Sequence, residues 1–507
     1  MSRPKNILLI LADQWRADCL SAVGHPVVKT PHLDALARDG VLFRQHFAQA
    51  SPCGPSRTSL LTGMYMQNHR SVRNGTPLDR RFTNIALEMR KAGYDPGLIG
   101  YTDTSPDPRG LAPEDPSLRT YEGVMPGFTT VALMQSDEKP WVTHLRRLGY
   151  DIKPGDIDDA WRPVENYPGA EERGPTYAPP RYKAEHSDTA FVTDCAIEYI
   201  EAQRDRPWFL HCGYLRPHPP FIAPEPYNRM YEPSDVPPFR RAPTIEAEKQ
   251  QHPYLAWHLG WSGYAAAMPE HHLRQLRATY WGLMSEVDAQ VGRLVDFLKR
   301  TGRYDDTLIV FSCDHGEMLG DHWYLEKEVY FDQAFHIPLI VRAPGAGFAR
   351  GATVDQFTES VDLMPTVLDL AGREIPVQCD GTSLVPFLRG ETPRRWRSEV
   401  HWEFDFRDVP GEAPERALGI RLDECCLNVI RDRQYKYVHF AALPPLLFDV
   451  QRDPDELHDL SGDPRYAPVM LRYAQKLLSW RMANDERTLT GIELTAKGAI
   501  TRPADRR

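Results

Sequence analysis

The chain has 507 residues, enough for one large enzyme domain with an appendage or for several domains of ordinary size. With 41% hydrophobic, 26% charged and 10% aromatic residues, the composition is that of a folded globular protein and excludes a disordered, collagen-like or coiled-coil chain. Lys and Arg number 60 against 70 Asp and Glu, a net charge of -10. Such a chain has no overall positive field to hold nucleic acid or an anionic membrane, and we expect neither as a partner.

Neither a leader nor a membrane span is predicted. The first apolar run, Ile7 to Ala12, is too short for a secretory segment and ends in Asp13 and Gln14. No run approaches the roughly 20 apolar residues that a bilayer requires. The eight cysteines form no C-x-x-C pair and are too sparse for a disulfide scaffold. We therefore expect reduced thiols and a cytoplasmic protein.

Predicted strands, seen as short apolar runs, alternate with predicted helices, seen as apolar residues three or four positions apart, along most of the chain. Asn6 to Ala12 is a continuous apolar run typical of a strand buried on both faces, and Thr307 to Ser312 repeats it. The other predicted elements are strands at 94–101 and 207–213, a helix at 84–92 and a long amphipathic helix from Leu273 to Leu298. This alternation predicts an α/β fold with a large mixed, mostly parallel sheet and helices on both faces.

The composition changes after Leu388. Residues 102–180 and 217–253 are rich in Pro, Asp or Gly and are interpreted as excursions over the sheet. Beyond Arg389, short apolar runs separated by turns predict a small antiparallel sheet, followed by a terminal helix and a charged tail. We therefore expect a catalytic domain at 1–389 and a C-terminal antiparallel sheet subdomain at 390–507.

Polar residues follow two of the predicted parallel strands. Asp13 and Gln14 end the first strand, and Asp314 and His315 end the strand that begins at Thr307. Ligands bind outside the carboxyl ends of parallel strands, so these side chains can meet although about 300 positions separate them. Mostly oxygen ligands with one imidazole suit a single Ca²⁺ or Mn²⁺ better than a tetrahedral thiolate zinc site.

The stretch 51–63 reads Ser-Pro-Cys-Gly-Pro-Ser-Arg-Thr-Ser-Leu-Leu-Thr-Gly. Pro55 and Ser56 favour a helix start and Gly63 its end. Cys53 is therefore expected at a helix N-terminus, where free N–H groups favour an oxyanion or an ionised nucleophile. An isolated cysteine there is more often a small buried thiol. Arg57, one turn later on the same face, can hold the nucleophile's oxygen.

Cys53-Gly54-Pro55-Ser56-Arg57 resembles the C-x-P-x-R signature of type I sulfatases, in which the cysteine is oxidised to formylglycine. Nearly the whole chain is covered, since the following stretches are also similar to that family in the same order: 6–13, 31–34, 312–320, 361–366 and 380–383. The resemblance implies the fold of the alkaline phosphatase superfamily, with the C-terminal antiparallel subdomain that this family carries.

Finer features resemble one subgroup. Ordinary arylsulfatases usually have Asp-Asp and Asp-Asn where this chain has Asp13-Gln14 and Asp314-His315, pairs that look like those of phosphonate monoester hydrolases and choline-sulfatase relatives. The stretches 73–79, 100–109 and 215–221 are also similar to the hydrolases. A hydroxyl residue is expected two positions after Tyr101, but Asp103 stands there. Because a carboxylate repels an anion, Asp103 either turns away or selects a cationic leaving group.

Residue roles follow from the resemblance combined with the chemistry of each side chain. Catalytic roles are expected for Cys53, Arg57, His218 and Lys327, and substrate contacts for Asn74 and Tyr101. The predicted ligands of one divalent metal ion, Mn²⁺ or Ca²⁺, are Asp13, Gln14, Cys53, Asp314 and His315. His218 lies between prolines with no core role to explain it, and Lys327 lies on the loop that leaves Asp314.

The sequence thus predicts a metal-dependent formylglycine hydrolase of phosphonate monoesters and phosphate diesters, with sulfate-ester cleavage as a side activity. Its expected partners are a small anionic ester, a formylglycine-generating modification system and further copies of the chain in a homo-oligomer. The alternatives are a dedicated aryl or choline sulfatase and a non-catalytic binding protein with an unmodified thiol. Intact Cys53, Arg57, Asp13 and Asp314 argue against the last.

Overall fold

The computed structural model describes residues 4–261 and 263–502. Its strands are β1 Asn6–Asp13, β2 Val41–Phe43, β3 His46–Phe47, β4 Ala50–Ser51, β5 Pro96–Gly100, β6 Thr129–Leu133, β7 Phe209–Pro217, β8 Thr307–Cys313, β9 Leu339–Arg342, β10 Ala352–Val354, β11 Thr358–Glu359, β12 Val400–Asp405, β13 Cys426–Arg431, β14 Tyr435–Phe440, β15 Leu446–Asp449, β16 Ile492–Thr495 and β17 Gly498–Thr501.

The α-helices are α1 Pro31–Arg38, α2 Cys53–Thr62, α3 Met66–His69, α4 Ile85–Lys91, α5 Lys139–Arg147, α6 Ile157–Trp161, α7 Ala170–Arg173, α8 Asp188–Gln203, α9 Ile245–Lys249, α10 Pro253–His258, α11 Glu270–Arg300, α12 Asp332–Phe335, α13 Leu363–Leu370, α14 Val385–Leu388, α15 Ala413–Leu418 and α16 Ala467–Ala483.

The large sheet has the strand order β10-β2-β9-β8-β1-β7-β5-β6. Its pairings are parallel except that β9 runs antiparallel to both β8 and β2. Strand β1 is buried along its whole length between parallel β7 and β8, which is why it reads as a continuous apolar run. The predicted mixed, mostly parallel sheet is confirmed.

Two cores lie on opposite faces of this sheet. Along β1, Leu8 and Ile10 pack in the core that contains Val287 of α11, whereas Ile7 and Leu9 pack in the core that contains Leu60 of α2. The alternation follows from the two-residue period of a strand, which sends successive side chains to opposite faces. Helices α2 and α11 therefore cover different faces, and both begin or pass beside the carboxyl edge where the site forms.

The C-terminal sheet has the order β15-β14-β13-β12-β4. Strands β12 to β15 form the predicted antiparallel sheet, and α16 contacts β13 and β14. The parallel strand β4 comes from the N-terminal part of the chain, with Ala50 opposite Glu403 and Ser51 opposite Phe404. The C-terminal sheet thus holds the segment just before Cys53, while the boundary near Arg389 stays a prediction.

Three local predictions need correction. Helix α2 begins at Cys53, two residues before the predicted start, because a proline is tolerated anywhere in the first turn. The strand predicted at 207–213 runs from Phe209 to Pro217. The segment 102–180 contains the edge strand β6 and helix α5; Thr129, Thr130 and Val131 of β6 are exposed, so this strand lacks the apolar alternation that marks a half-buried strand.

Among the residues that the structure describes, no helix combines the length and hydropathy needed to cross a bilayer.

Candidate active site

The carboxyl ends of β1 and β8 place the acidic residues side by side. Ala12 is opposite Cys313 in the parallel register, so Asp13 and Asp314 leave the sheet as neighbours. Ligand atoms of Asp13, Cys53, Asp314 and His315 all lie within 4.8 Å of one another. All four side chains are buried. The predicted convergence of distant segments at this edge is therefore present in the structure.

Helix α2 brings Cys53 to this cluster. The Cys53 Sγ lies 3.2 Å from His315 Nε2, and Ser56 Oγ donates a hydrogen bond of 2.5 Å to the Asp314 carbonyl, which ties the helix to the end of β8. Gly54 N donates to Asn74 Oδ1 over 2.8 Å. A Cβ at Gly54 would lie 2.9 Å from that oxygen, so the close approach of Asn74 requires glycine.

Arg57 lies between the two acids and is fully buried. It donates to Asp13 Oδ2 over 2.7 Å and to Asp314 Oδ2 over 3.0 Å. Its guanidinium carbon lies 4.2 Å from the Tyr101 ring centroid, and the Tyr101 hydroxyl donates to Asp13 Oδ2 over 2.6 Å. Burial alone would raise the pKa of Asp13, but His218 and Arg57 hold it well below its ordinary value. Arg57 and Tyr101 thus fix an ionised Asp13.

The donor set fits one divalent cation. Asp13 Oδ1 is buried and has no hydrogen-bond partner among the described residues, although Oδ2 has two. An ionised oxygen left unpaired in the interior is costly unless a cation occupies the site. Carboxylate oxygens, one imidazole and the side chain at position 53 are ligands that a hard or borderline ion accepts.

Gln14 is oriented by other groups. Its Oε1 accepts a 2.7 Å hydrogen bond from Lys327 Nζ, and its Nε2 donates to Glu317 and, over 3.4 Å, to Glu326. Its backbone N donates to Asp314 Oδ1 over 3.2 Å. The described contacts therefore direct its side chain towards Lys327, and its place among the metal ligands stays a prediction.

Lys327 and His218 form a proton-carrying pair. Lys327 Nζ lies 3.2 Å from His218 Nε2 and 3.2 Å from Glu326 Oε2. His218 Nδ1 lies 2.9 Å from the Pro219 carbonyl, an acceptor that favours a proton on Nδ1 and leaves Nε2 to accept from Lys327. Burial and then Lys327 lower the pKa of His218. Burial also opposes the charged form of Lys327, but Cys53 and Glu326 raise its pKa well above the ordinary value. At neutral pH the proton therefore resides on Lys327.

A cavity of about 630 Å³ opens over these groups. The predicted residues that line it are Asp13, Cys53, Asn74, Tyr101, His218 and Lys327. Arg57, Asp314 and His315 lie behind this lining in the buried cluster. The cavity offers room for a small ester whose reacting atom would approach Cys53 with Lys327 and His218 alongside.

Sequence reasoning missed Glu317, which is fully buried and accepts from Leu319 N over 2.9 Å and Glu326 N over 2.7 Å. These bonds shape the loop that presents Lys327, and burial together with Glu326 raises the pKa of Glu317 to about 7. A lone acid after Asp314-His315-Gly316 has no spacing that would distinguish this role.

Asp103 does not turn away from the site. It lines the cavity, and its Oδ2 lies 3.7 Å from Arg57 Nε. Burial raises the pKa of Asp103 to about 7 although Arg57 opposes the shift. The first expectation, that Asp103 turns away, is therefore wrong, and the second, that it selects a cationic leaving group, stays a prediction.

The structure thus places a buried cluster of carboxylates, an imidazole and a thiol at the carboxyl edge of an α/β sheet, the edge at which open α/β sheets bind ligands. The sulfatase family model matches residues 5–373, and a model described as N-sulphoglucosamine sulphohydrolase, C-terminal, matches residues 320–483. The chain belongs to the sulfatase family.

Three relatives match this chain along nearly the whole length of both proteins. The chain is 44% identical over 515 residues to the multifunctional alkaline phosphatase superfamily protein PehA of Trinickia caryophylli, with 98% of this chain and 99% of the relative covered. It is similar to the crystal structure of the phosphonate monoester hydrolase of Agrobacterium radiobacter, at 48% identity and a TM-score of 0.94 over 99% and 100% of the two chains. The phosphonate monoester hydrolase from Silicibacter pomeroyi gives 43% identity and a TM-score of 0.92 over 98% and 99%.

Proposed function

We propose that this enzyme hydrolyses phosphonate monoesters and phosphate diesters, with sulfate-ester cleavage as a side activity. The observation that carries the proposal is the buried cluster of Asp13, Cys53, Asp314 and His315 beside Lys327. It occurs in a chain that resembles two phosphonate monoester hydrolases along almost their whole lengths. The test is a comparison of kcat/KM for an aryl phosphonate monoester, phosphodiester, phosphomonoester and sulfate.

The proposed site also requires a metal ion and a chemically modified side chain at position 53. Asp13, Gln14, Asp314, His315 and the side chain at position 53 would hold one Mn²⁺ or Ca²⁺, and oxidation of Cys53 by a modification system would give formylglycine. Together the metal and the formylglycine would supply an ionised hydroxyl nucleophile and a route for releasing the product without attack by water.

Residues of the chain bind the ester and donate a proton to its leaving oxygen. Arg57 holds Asp13 and Asp314 in place through the bonds described above. The Lys327 ammonium stabilises negative charge that develops on the substrate, since it lies in the cavity and keeps its proton. Either Lys327, which carries the proton at neutral pH, or His218, which can receive that proton across their 3.2 Å contact, protonates the leaving oxygen. Asn74 and Tyr101 position the anion at the cavity wall.

Removal of the metal is expected to abolish activity, and Mn²⁺ or Ca²⁺ to restore it, because the ligand set is rich in oxygen. His315→Asn, which replaces the imidazole with an amide oxygen, should shift the preference towards Ca²⁺. The checks are kcat after chelation and metal addition, and an anomalous-scattering map of metal-replete crystals. Absence of a peak between Asp13 and Asp314 in active protein would refute the metal assignment.

Monoanionic esters are expected to exceed phosphomonoesters by about tenfold or more in kcat/KM. A phosphomonoester carries nearly two negative charges at neutral pH. One metal ion and Lys327 can offset the first of these charges, but the nearby acids Asp13, Asp103 and Glu326 leave little net positive charge to offset the second. The substrate comparison named above measures this ratio. A strong phosphomonoester preference would contradict the charge argument, and activity confined to sulfates would favour the dedicated aryl or choline sulfatase.

A non-catalytic binding protein remains the alternative from another class. It requires an unmodified thiol at position 53. Mass spectrometry of the peptide that contains Cys53 distinguishes the two, because conversion of the thiol to an aldehyde changes its mass.

The remaining assignments belong to the same proposal. We place the enzyme in a cytoplasm, since the eight cysteines form no C-x-x-C pair and are too sparse for a disulfide scaffold. The residues 1–389 form the catalytic domain and 390–507 the C-terminal subdomain. A homo-oligomer is supported by the hairpin of β16 and β17, where Leu494 is 84% and Ile500 58% exposed.

A further inference from the structure

The cavity over Cys53 has an acidic wall that the proposed reaction does not use. Among the described residues, the carboxylates that line it besides Asp13 are Asp103, Glu122, Glu138, Glu326 and Glu328. Three of these have a cationic neighbour: Arg57 lies 3.7 Å from Asp103, Lys327 lies 3.2 Å from Glu326, and Arg73 lies 3.4 Å from Glu328. In the described part of the chain, Glu122 and Glu138 have no ion-pair partner.

These two unpaired acids share one wall. The Glu122 carboxylate accepts from Ser136 N over 2.9 Å and from Ser136 Oγ over 3.0 Å, so it is fixed to the segment that follows β6. Glu138 lies at the end of that segment, and its side chain is 1% exposed. Its Oε2 is buried and has no hydrogen-bond partner among the described residues. An acid that is buried, unpaired and part of a cavity lining is a group whose partner is a ligand.

Aromatic rings complete the wall. Tyr121 and Trp161 line the same cavity, and the indole nitrogen of Trp161 also lacks a hydrogen-bond partner in the described structure. Aromatic faces attract cations and disfavour anions. Burial and then Asp188 raise the pKa of Glu138 well above its ordinary value, although Arg216 opposes the shift. Arg216 is itself paired with Asp188 at 3.0 Å, and its guanidinium carbon lies 5.2 Å from the Trp161 ring centroid. A ligand cation on the cavity side of Glu138 would lower the pKa of this acid.

We propose that the wall formed by Glu122, Glu138, Tyr121 and Trp161 binds a positively charged substituent of the substrate, so that the preferred esters carry an alkylammonium group. This inference rests on the proposed function and names its substrate class: zwitterionic phosphonate monoesters or phosphate diesters. The anionic phosphorus centre faces Lys327, and the ammonium group faces the unpaired acids. Asp103, which also lines the cavity, adds to the negative potential and disfavours a second anionic substituent.

Two isosteric pairs test the charge without changing the leaving group. One pair is 4-nitrophenyl 2-aminoethylphosphonate and 4-nitrophenyl propylphosphonate. The other is 4-nitrophenyl phosphocholine and 4-nitrophenyl 3,3-dimethylbutyl phosphate. Wild-type enzyme is expected to prefer the cationic member of at least one pair by about tenfold in kcat/KM. Glu138→Gln and Glu122→Gln should each reduce that ratio several-fold.

Glu391→Gln removes one negative charge from an exposed loop residue and is the matched control. It should leave all four kcat/KM values unchanged. If Glu138→Gln does not fold, the ratio measured with Glu122→Gln, at a half-buried position, is the test. Ratios near one in both pairs, or a preference that survives both substitutions, would overturn the inference. Failure to cleave even the two esters without an ammonium group would instead refute the proposed function.

Discussion

Replacing Cys53 with alanine is expected to lower kcat/KM by about 10⁴-fold or more while leaving the fold intact. The side chain at position 53 is the one that faces the cavity at the N-terminus of α2, and its Sγ lies 3.2 Å from His315 Nε2. The substitution removes one atom from the buried surface, so the melting temperature and the circular dichroism spectrum should stay close to those of the wild type. Steady-state kinetics on a preparation free of wild-type enzyme measures the loss.

Two variants sharpen this prediction. Cys212→Ala removes the same atom from the fully buried part of β7 and should retain activity. Cys53→Ser should give at most one equivalent of product followed by very slow turnover, because a serine ester has no second hydroxyl to expel the product. Sustained turnover by Cys53→Ala would show that the nucleophile is another group.

Burial on both faces explains why the frame of the site could be predicted from sequence. Strands β1 and β8 are buried along their whole lengths and run parallel to each other inside the sheet. Each therefore reads as an apolar run that ends in acidic residues, and their parallel pairing brings those ends together. The motif at Cys53 located the start of α2 to within two residues. The prediction of Asp13, Cys53, Asp314 and His315 as neighbours also used the resemblance to the sulfatase family, since the apolar runs alone do not prove that their ends meet.

The remaining contacts depend on loops whose paths have no periodic signal. Glu317 accepts hydrogen bonds from the Gln14 side chain and from the backbone N–H of Glu326, and Asn74 accepts one from the backbone N–H of Gly54. Each of these pairings depends on a turn conformation. Gln14 and Glu326, for example, have positive φ angles of 68° and 73°. The same holds for β4, two residues long, which joins the C-terminal sheet only because β12 offers a free edge. Such pairings are set by tertiary contacts.

His218→Ala and Lys327→Ala are expected to impair poor leaving groups far more than good ones. An alkoxide-like leaving oxygen needs a proton in the transition state, whereas a 4-nitrophenolate does not, so the loss in kcat/KM should reach about 10²–10³-fold for phenols of high pKa and only a few-fold for those of low pKa. The Lys327→Ala substitution should also lower kcat/KM for every substrate, because the ammonium group of Lys327 lies in the cavity and stabilises negative charge on the phosphorus oxygens.

The measurement is a plot of log kcat/KM against leaving-group pKa for the wild type and both variants, with the exposed His271→Ala as control. A steeper slope for Lys327→Ala than for His218→Ala would identify Lys327 as the proton donor, as expected from the raised pKa of Lys327 and the lowered pKa of His218. His218 would then act by holding Lys327 through their 3.2 Å contact. Losses of equal size across the whole series would exclude both residues as general acids, since only a proton donor discriminates by the basicity of the leaving oxygen.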